Sequence, residues 1–419
     1  MIIKIIKTTS SIWLTRLLAI GLFALISAGG RLALPFTPAQ PITHSTLGFV
    51  ALSTFAVAWL CCYLLIRFNS MHAHLSHDHD LEGIQKIHTQ SVPRVGGLAI
   101  MLGLLMSLIT LAFIAPADRL DFSYLLWMLL AAMPVFIAGF WEDLTKRVSI
   151  RQRLLSSFIS AELAALLLQA LIPGLGLPLL DHYLTWAPVL LLLTIVGTGG
   201  VTHSYNLIDG INGLAAGFTL IMLVALLSVA ALVGDGMILL LGVCLFSATL
   251  GFLVWNWPRG LLFLGDGGAY LLGFFCSTLL ILLVARHPEV SPWFPLALVG
   301  YPVMETLFST YRRILIHEVP HDAPDNRHLH QLMYQWICRE RSPRHGAHIS
   351  CNSLTAVPIW VATALVTAFA VHWYDNTHAL VALFLGGVIF YKWVYRFLYF
   401  VMFRSPLKRR QPPSDMHSS

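Results

Sequence analysis

Long stretches without a charged side chain alternate with short polar segments along this chain. Residues 95–117, 122–141, 210–234, 236–258, 267–285 and 352–374 contain no Asp, Glu, Lys or Arg. A helix needs about 20 apolar residues to cross a bilayer, and each of these stretches is about that long. Weaker or interrupted runs complete the pattern. The spans predicted are 12–34, 47–66, 95–115, 122–141, 154–172, 185–201, 213–233, 237–255, 269–286, 292–311, 354–373 and 379–402. The fold class expected is all-α: a polytopic membrane protein of about 12 transmembrane helices. Residues 1–404 form a single multi-span domain, and the polar residues 405–419 read as a disordered tail.

Composition agrees. Of 419 residues, 57% are hydrophobic and 11% charged, against about 25% charged in soluble domains. That balance excludes an ordinary cytosolic enzyme, a disulfide scaffold and a disordered chain. Lys4 and Lys7 before the first apolar run resemble a signal peptide. No small-residue cleavage site follows before Arg31, so a retained anchor helix is expected. The six cysteines include no CxxC pair, and four lie in apolar stretches.

A net charge of +6 could suggest a nucleic-acid partner, but placement argues for topology instead. With the N-terminus in the cytoplasm and twelve spans, 23 of the 26 Lys and Arg residues fall on the cytoplasmic side. Only Arg31, Arg119 and Arg286 fall on the other. This is the positive-inside bias, so both termini are expected in the cytoplasm and no nucleic acid is needed.

The carboxylates collect on that same side. Glu142-Asp143 follows the fourth span, Asn206 to Gly213 (NLIDGING) the sixth, Phe263 to Gly268 (FLGDGG) the eighth, and Asp322, Asp325, His328 and His330 the tenth. Carboxylates beside glycines at a membrane surface suit Mg²⁺ with a phosphate substrate, because Mg²⁺ takes one or two protein carboxylates and leaves its other positions to water and phosphate oxygens. Glycine lets backbone N–H groups approach an anion. Arginines of the 312–351 loop, Arg327 among them, suit phosphate. The His-rich run 72–80 reads as interfacial. Glu162 and Glu305, inside or near spans, are functional candidates or partners of a neighbouring helix.

Read in order, these segments resemble the polyprenyl-phosphate N-acetylhexosamine-1-phosphate transferases (glycosyltransferase family 4, MraY/WecA-like). His88 to Gly97 (HTQSVPRVGG) looks like the family's first cytoplasmic loop, and Glu142-Asp143 stands where the family has paired aspartates. Asn206 to Gly213 is similar to its Asn-x-x-Asp-Gly-x-Asp-Gly block, Phe263 to Gly268 to its Gly-Asp block, and His328-Leu329-His330 to its His motif. The likeness covers about residues 50–375. Four positions depart from it: Thr89, Glu142, Asn212 and Gln331.

The resemblance implies a Mg²⁺-dependent transfer of sugar-1-phosphate from a UDP-N-acetylhexosamine to a polyprenyl phosphate such as undecaprenyl phosphate, releasing UMP. The setting implied is the cytoplasmic face of a bacterial inner membrane, where the product starts a lipid-linked envelope glycan. The partners are the two substrates and the lipid bilayer, with room for a homodimer. In this reading Asp266 and Asp209 hold the metal, while Asp143, Glu142 and Asp209 are catalytic. Asn206, Asn212, Arg94, Arg327, His328 and His330 bind substrate. The competing class is a multi-span secondary transporter, which would place polar groups near the midplane; here they gather at one surface.

Overall fold

A computed structural model of the chain describes residues 43–69, 92–114, 120–183, 186–316, 327–338 and 347–403. The predicted span 12–34, the His-rich run 72–80, Thr89 and the tail 405–419 lie outside the described residues. Every long element among the described residues is a helix. They are α1 His44–Arg67, α2 Gly96–Ile114, α3 Leu120–Thr145, α4 Ile150–Leu168, α5 Ala187–Ile208, α6 Leu214–Leu232, α7 Gly236–Asn256, α8 Gly265–Arg286, α9 Trp293–Leu298, α10 Gly300–Tyr311, α11 Leu329–Cys338, α12 Ala347–His372 and α13 Thr377–Phe403.

Nine of these helices are long and apolar enough to cross a membrane. Each falls on a predicted span. Two other predicted spans take different forms. Residues 154–172 became α4, which starts early enough to include Arg151 and Arg153 and so fails as a continuous apolar stretch. Residues 292–311 became two short helices, α9 and α10, broken at Val299 and followed by a π-helical turn at Arg312–Ile316. Pro295 and Pro302, which lack the N–H that a continuous ladder needs, flank the break.

The bundle is organised around α8. Its residues are buried from Gly265 to Val284, so its apolar character on all sides reflects a core position rather than lipid contact. Helices α2, α3 and α5 pack around it. Glycine makes the closest approaches: a Cβ on Gly139 of α3 would lie 2.7 Å from the Gly267 backbone. One on Gly97 of α2 would run into the backbone nitrogen of Gly268. Small residues at such crossings let helix backbones meet inside a membrane protein. Pro134, which has no N–H to donate, lies inside α3, and the next N–H, that of Val135, donates to Ser160 Oγ of α4 at 3.1 Å.

Candidate active site

The polar residues of the loops meet at the N-terminal end of α8. The segment leading into α2 runs beside the segment leading into α8. Phe263 N donates to Pro93 O, Gly96 N to Phe263 O and Gly97 N to Leu264 O, each at 2.9 Å. This short pairing fixes Arg94 next to Asp266. The turn between them requires glycine at 265, where φ is +76°. A Cβ at that position would collide with Arg94 O and sit 2.6 Å from Asp143 Oδ2.

Asp143, at the end of α3, spans the α8 N-terminus. Its Oδ1 accepts from Asp266 N at 2.8 Å and its Oδ2 from Gly267 N at 2.9 Å. Unpaired N–H groups and the helix dipole favour a carboxylate here. Asp266 itself, buried to 8% exposure, is held from three helices or loops. Its Oδ2 pairs with Arg153 Nη1 of α4 at 2.8 Å. Its Oδ1 accepts from Asn206 Nδ2 of α5 at 3.0 Å and lies 3.7 Å from Arg94 Nη2. Asp143, Asp266, Asn206 and Arg94, all anticipated from the sequence, therefore form one network.

Arg153 was not anticipated. In the sequence it is one of many basic residues that the positive-inside bias accounts for, and that bias hides it. The only signal is its position in the first turn of the helix after the acidic pair. The loop that places it is tightly built: Lys146 N donates to Glu142 O at 2.9 Å, and Ser149 and Gln152 form a reciprocal capping box. Such a box satisfies two orphan donors of α4.

Glu142 stands apart from its neighbour. Its Oε2 accepts from Val148 N at 2.8 Å, closing the same loop. The acidic pair thus divides its work between a loop and the α8 terminus.

Asp209 follows the last turn of α5 and is partly buried. Burial, reinforced by the Asp266 and Asp143 carboxylates and opposed by Arg94, holds its carboxyl well above the usual range. Asn212 lies deeper. Its backbone N–H donates to Asn352 Oδ1 of α12 at 2.7 Å, and its amide packs against Gly260. Asn256 ties the same loop to the α7–α8 connection, accepting from Gly213 N at 2.6 Å and donating to Leu262 O at 2.8 Å. Asn212 was expected to bind substrate. It is 3% exposed and sits in this asparagine junction, which aligns the two acidic loops.

The histidines form a second cluster at the same end. His328 Nδ1 and Glu305 Oε1 of α10 are 3.0 Å apart. His330 Nδ1 is 3.4 Å from the Tyr301 hydroxyl, and a Cβ on Gly210 would come 3.0 Å from His330 Nε2. The two imidazoles are parallel, 5.6 Å between centroids. Burial, aided by His328 and opposed by Glu305, pushes His330 down to about 4, so it is neutral at physiological pH. Arg327 precedes this pair and is partly buried. His330 thus links the cluster to the Asp209 loop through Gly210.

Among the described residues no three His, Cys, Asp or Glu side chains gather as a metal cage. The donors fit a hard cation in another way. Asp266 and Asp209 are the carboxylates that would hold such an ion, and Mg²⁺ commonly takes only one or two of these with water and phosphate. In the described arrangement Arg153 and Arg94 neutralise Asp266.

Comparison with known proteins gives the same frame. Residues 125–284 match the model of glycosyl transferase family 4. This stretch contains the acidic pair, the Asn206–Gly213 block and Asp266. A decaprenyl-phosphate N-acetylglucosaminephosphotransferase of Mycobacterium leprae (strain TN) is 30% identical over 278 residues, 59% of this chain and 68% of the relative. A probable undecaprenyl-phosphate N-acetylglucosaminyl 1-phosphate transferase of Bacillus subtilis (strain 168) is 28% identical over 250 residues, 59% of this chain and 67% of the relative. An undecaprenyl-phosphate alpha-N-acetylglucosaminyl 1-phosphate transferase of Escherichia coli (strain K12) is 24% identical over 265 residues, 61% of this chain and 68% of the relative. With these matches and the site they span, the chain belongs to glycosyl transferase family 4, among its polyprenyl-phosphate N-acetylhexosamine-1-phosphate transferases.

Proposed function

We propose that this protein transfers N-acetylhexosamine-1-phosphate from a UDP-sugar to a polyprenyl phosphate, releasing UMP. The reaction starts a lipid-linked cell-envelope glycan at the cytoplasmic face of a bacterial inner membrane, with both termini of the chain on that side. The observation that carries this reading is Asp266, gripped by Asn206, Arg153 and Arg94 at one end of an apolar bundle. Phosphoryl transfer asks a protein chiefly to position anions and neutralise their charge, and two arginines beside a carboxylate at a helix N-terminus suit that task.

Asp266 and Asp209 would hold Mg²⁺. Bound there, the ion would neutralise the diphosphate and stabilise the leaving nucleotide. Arg94 and Arg153, released from Asp266, would engage phosphate oxygens through paired donors. Asn206 orients the Asp266 carboxylate. Asp143 fixes where the α8 terminus stands and, with Glu142, would orient the acceptor phosphate. Glu142 holds the loop that aims Arg153. Arg327, His328 and His330 would contact the nucleotide phosphates. The lipid needs an apolar path, and a cavity of about 230 Å³ bordered by Tyr301, Met304, Leu329 and Phe384 adjoins the histidine cluster.

Purified protein incubated with undecaprenyl phosphate, Mg²⁺ and a set of UDP-N-acetylhexosamines should release UMP and yield a lipid product heavier by one sugar phosphate. UDP-N-acetylglucosamine is the first donor to try, given the names of the relatives. Chelation by EDTA should stop the reaction and added Mg²⁺ restore it. Movement of a solute across vesicles without UMP release would favour a transporter instead.

A further inference from the structure

Glu305 is the most deeply buried carboxylate of the second cluster, 1% exposed on α10. A buried charge is costly unless it is paired and hydrogen-bonded. Its partners lie 23 and 24 residues along the chain: His328 Nδ1 at 3.0 Å from Oε1, and Leu329 N at 3.0 Å from Oε1 and 3.3 Å from Oε2. The Leu329 bonds alone would make Glu305 a cap for α11, which begins at that residue. A cap does not require a ring at 328, still less one whose Nδ1 faces the carboxylate.

The rest of the arrangement explains the ring. Nδ1 and Nε2 lie on different edges of an imidazole, so anchoring one directs the other. His328 Nε2 has no hydrogen bond among the described residues. The ring lies parallel to His330, within 2°, and His330 stands over Gly210 in the loop that carries Asp209. The anchored His328 ring is thus stacked on the ring that adjoins the Asp209 loop.

Resting on the transferase reading above, we propose that Glu305 is a positioning residue. It takes the Nδ1–H of His328 and so fixes which nitrogen, Nε2, is presented to the phosphates of the bound substrates. A carboxylate that orients a histidine through its second nitrogen changes activity by about 10- to 100-fold when removed from a metal-ligand histidine, and the same physical logic applies to a phosphate-binding one.

A double-mutant cycle tests this. Glu305→Gln keeps volume and can still accept the Leu329 N–H. It should lower kcat about 10- to 100-fold while leaving the midpoint of thermal unfolding close to that of the parent. In a His328→Ala background the same change should cost less than about 2-fold, because residues acting through one another are not additive. Equal losses in both backgrounds, or no loss in the parent, would overturn the proposal and leave Glu305 a cap. If Glu305→Gln does not fold, Glu305→Asp carries the same cycle, since it retracts the carboxylate from the ring while keeping its charge.

A second readout does not need turnover. In protein labelled with ¹⁵N-histidine, the His328 resonance, identified by its loss in His328→Ala, should show a protonated Nδ1. An unprotonated Nδ1 would overturn the proposal. Absence of UMP release by the parent protein with every donor would instead sink the transferase reading, and the nitrogen measurement would still decide the Glu305–His328 pair.

Discussion

The Asp143 carboxylate and the backbone of Asp266, 123 residues apart, meet at 2.8 Å, with Asp143 accepting the Asp266 N–H. Gly267 N completes the grip on the other oxygen at 2.9 Å. One acidic residue therefore holds the helix terminus from which another acidic residue projects. The second is consequently fixed relative to α3 as well as α8. A misplacement of about 1 Å at a reacting centre can cost about a hundredfold in rate, so under the proposed function this contact is expected to govern activity.

The acidic pair should separate on mutation. Asn at 143 can offer only one acceptor oxygen to two N–H donors, and its amide NH₂ would face the other donor. Asp143→Asn should abolish transfer and lower thermal stability. Glu142→Gln retains an oxygen for Val148 N and should leave measurable activity, and Glu142→Asp should be mild. Initial rates of UMP release at matched expression decide this, and equal losses at the two positions would refute it.

Asp266→Asn keeps shape but removes the charge that Arg153 and Arg94 now neutralise. The expected loss is at least about a hundredfold, the scale seen when a main electrostatic element is removed. Arg153→Lys keeps charge but not the planar fork. It should raise the KM for the UDP-sugar more than Asn206→Ala does, because Asn206 touches Asp266 rather than phosphate. Steady-state kinetics with both substrates varied would measure the difference.

Gly97→Ala tests the helix contact beneath the site. The added methyl would meet the backbone of Gly268, which has no flexible end to yield. Overpacking of this kind costs about 1–3 kcal/mol. The variant should unfold at lower temperature in detergent and lose activity with it. Gly48→Ala, where a Cβ meets nothing within 4 Å, should do neither.

Stability should also depend on pH through His330. Burial first, then His328, pushes it down to about 4, against the pull of Glu305. An unfolded histidine titrates near 6.5. Between those values the unfolded chain binds a proton that the folded one refuses, so stability is full above about pH 6.5 and falls as pH drops toward 4. Thermal melts of purified protein from pH 7 to pH 5 should show the decline. His330→Gln should flatten it over that range, and an unchanged slope would contradict this account.

Much of this molecule is legible without coordinates. A spanning helix satisfies its own backbone hydrogen bonds, so apolar length alone locates it, and each of the nine apolar helices falls on a stretch marked by that rule. The rule fails where the chain departs from continuity. Arg151 and Arg153 fall inside α4, where Arg153 pairs with Asp266, and Val299 breaks a helix between two prolines, which a count of apolar residues does not register.

The site divides along the same line. Carboxylates and histidines gathered in the loops of one side marked Asp143, Asp209, Asp266, His328 and His330, because charge that costs energy near a membrane must be used or paired, and the family resemblance added Arg94 and Asn206. Only tertiary structure decided which of them touch. It joined Asp143 to the α8 terminus, turned Glu142 back to its own loop, buried Asn212 in an asparagine junction and brought Arg153 and Glu305 into the two clusters. The physical reason is range. Hydropathy acts within one helix, whereas these contacts depend on how closely helices approach, and that distance is set by glycines such as Gly97 and Gly139, which meet the first turn of α8 at Gly268 and Gly267.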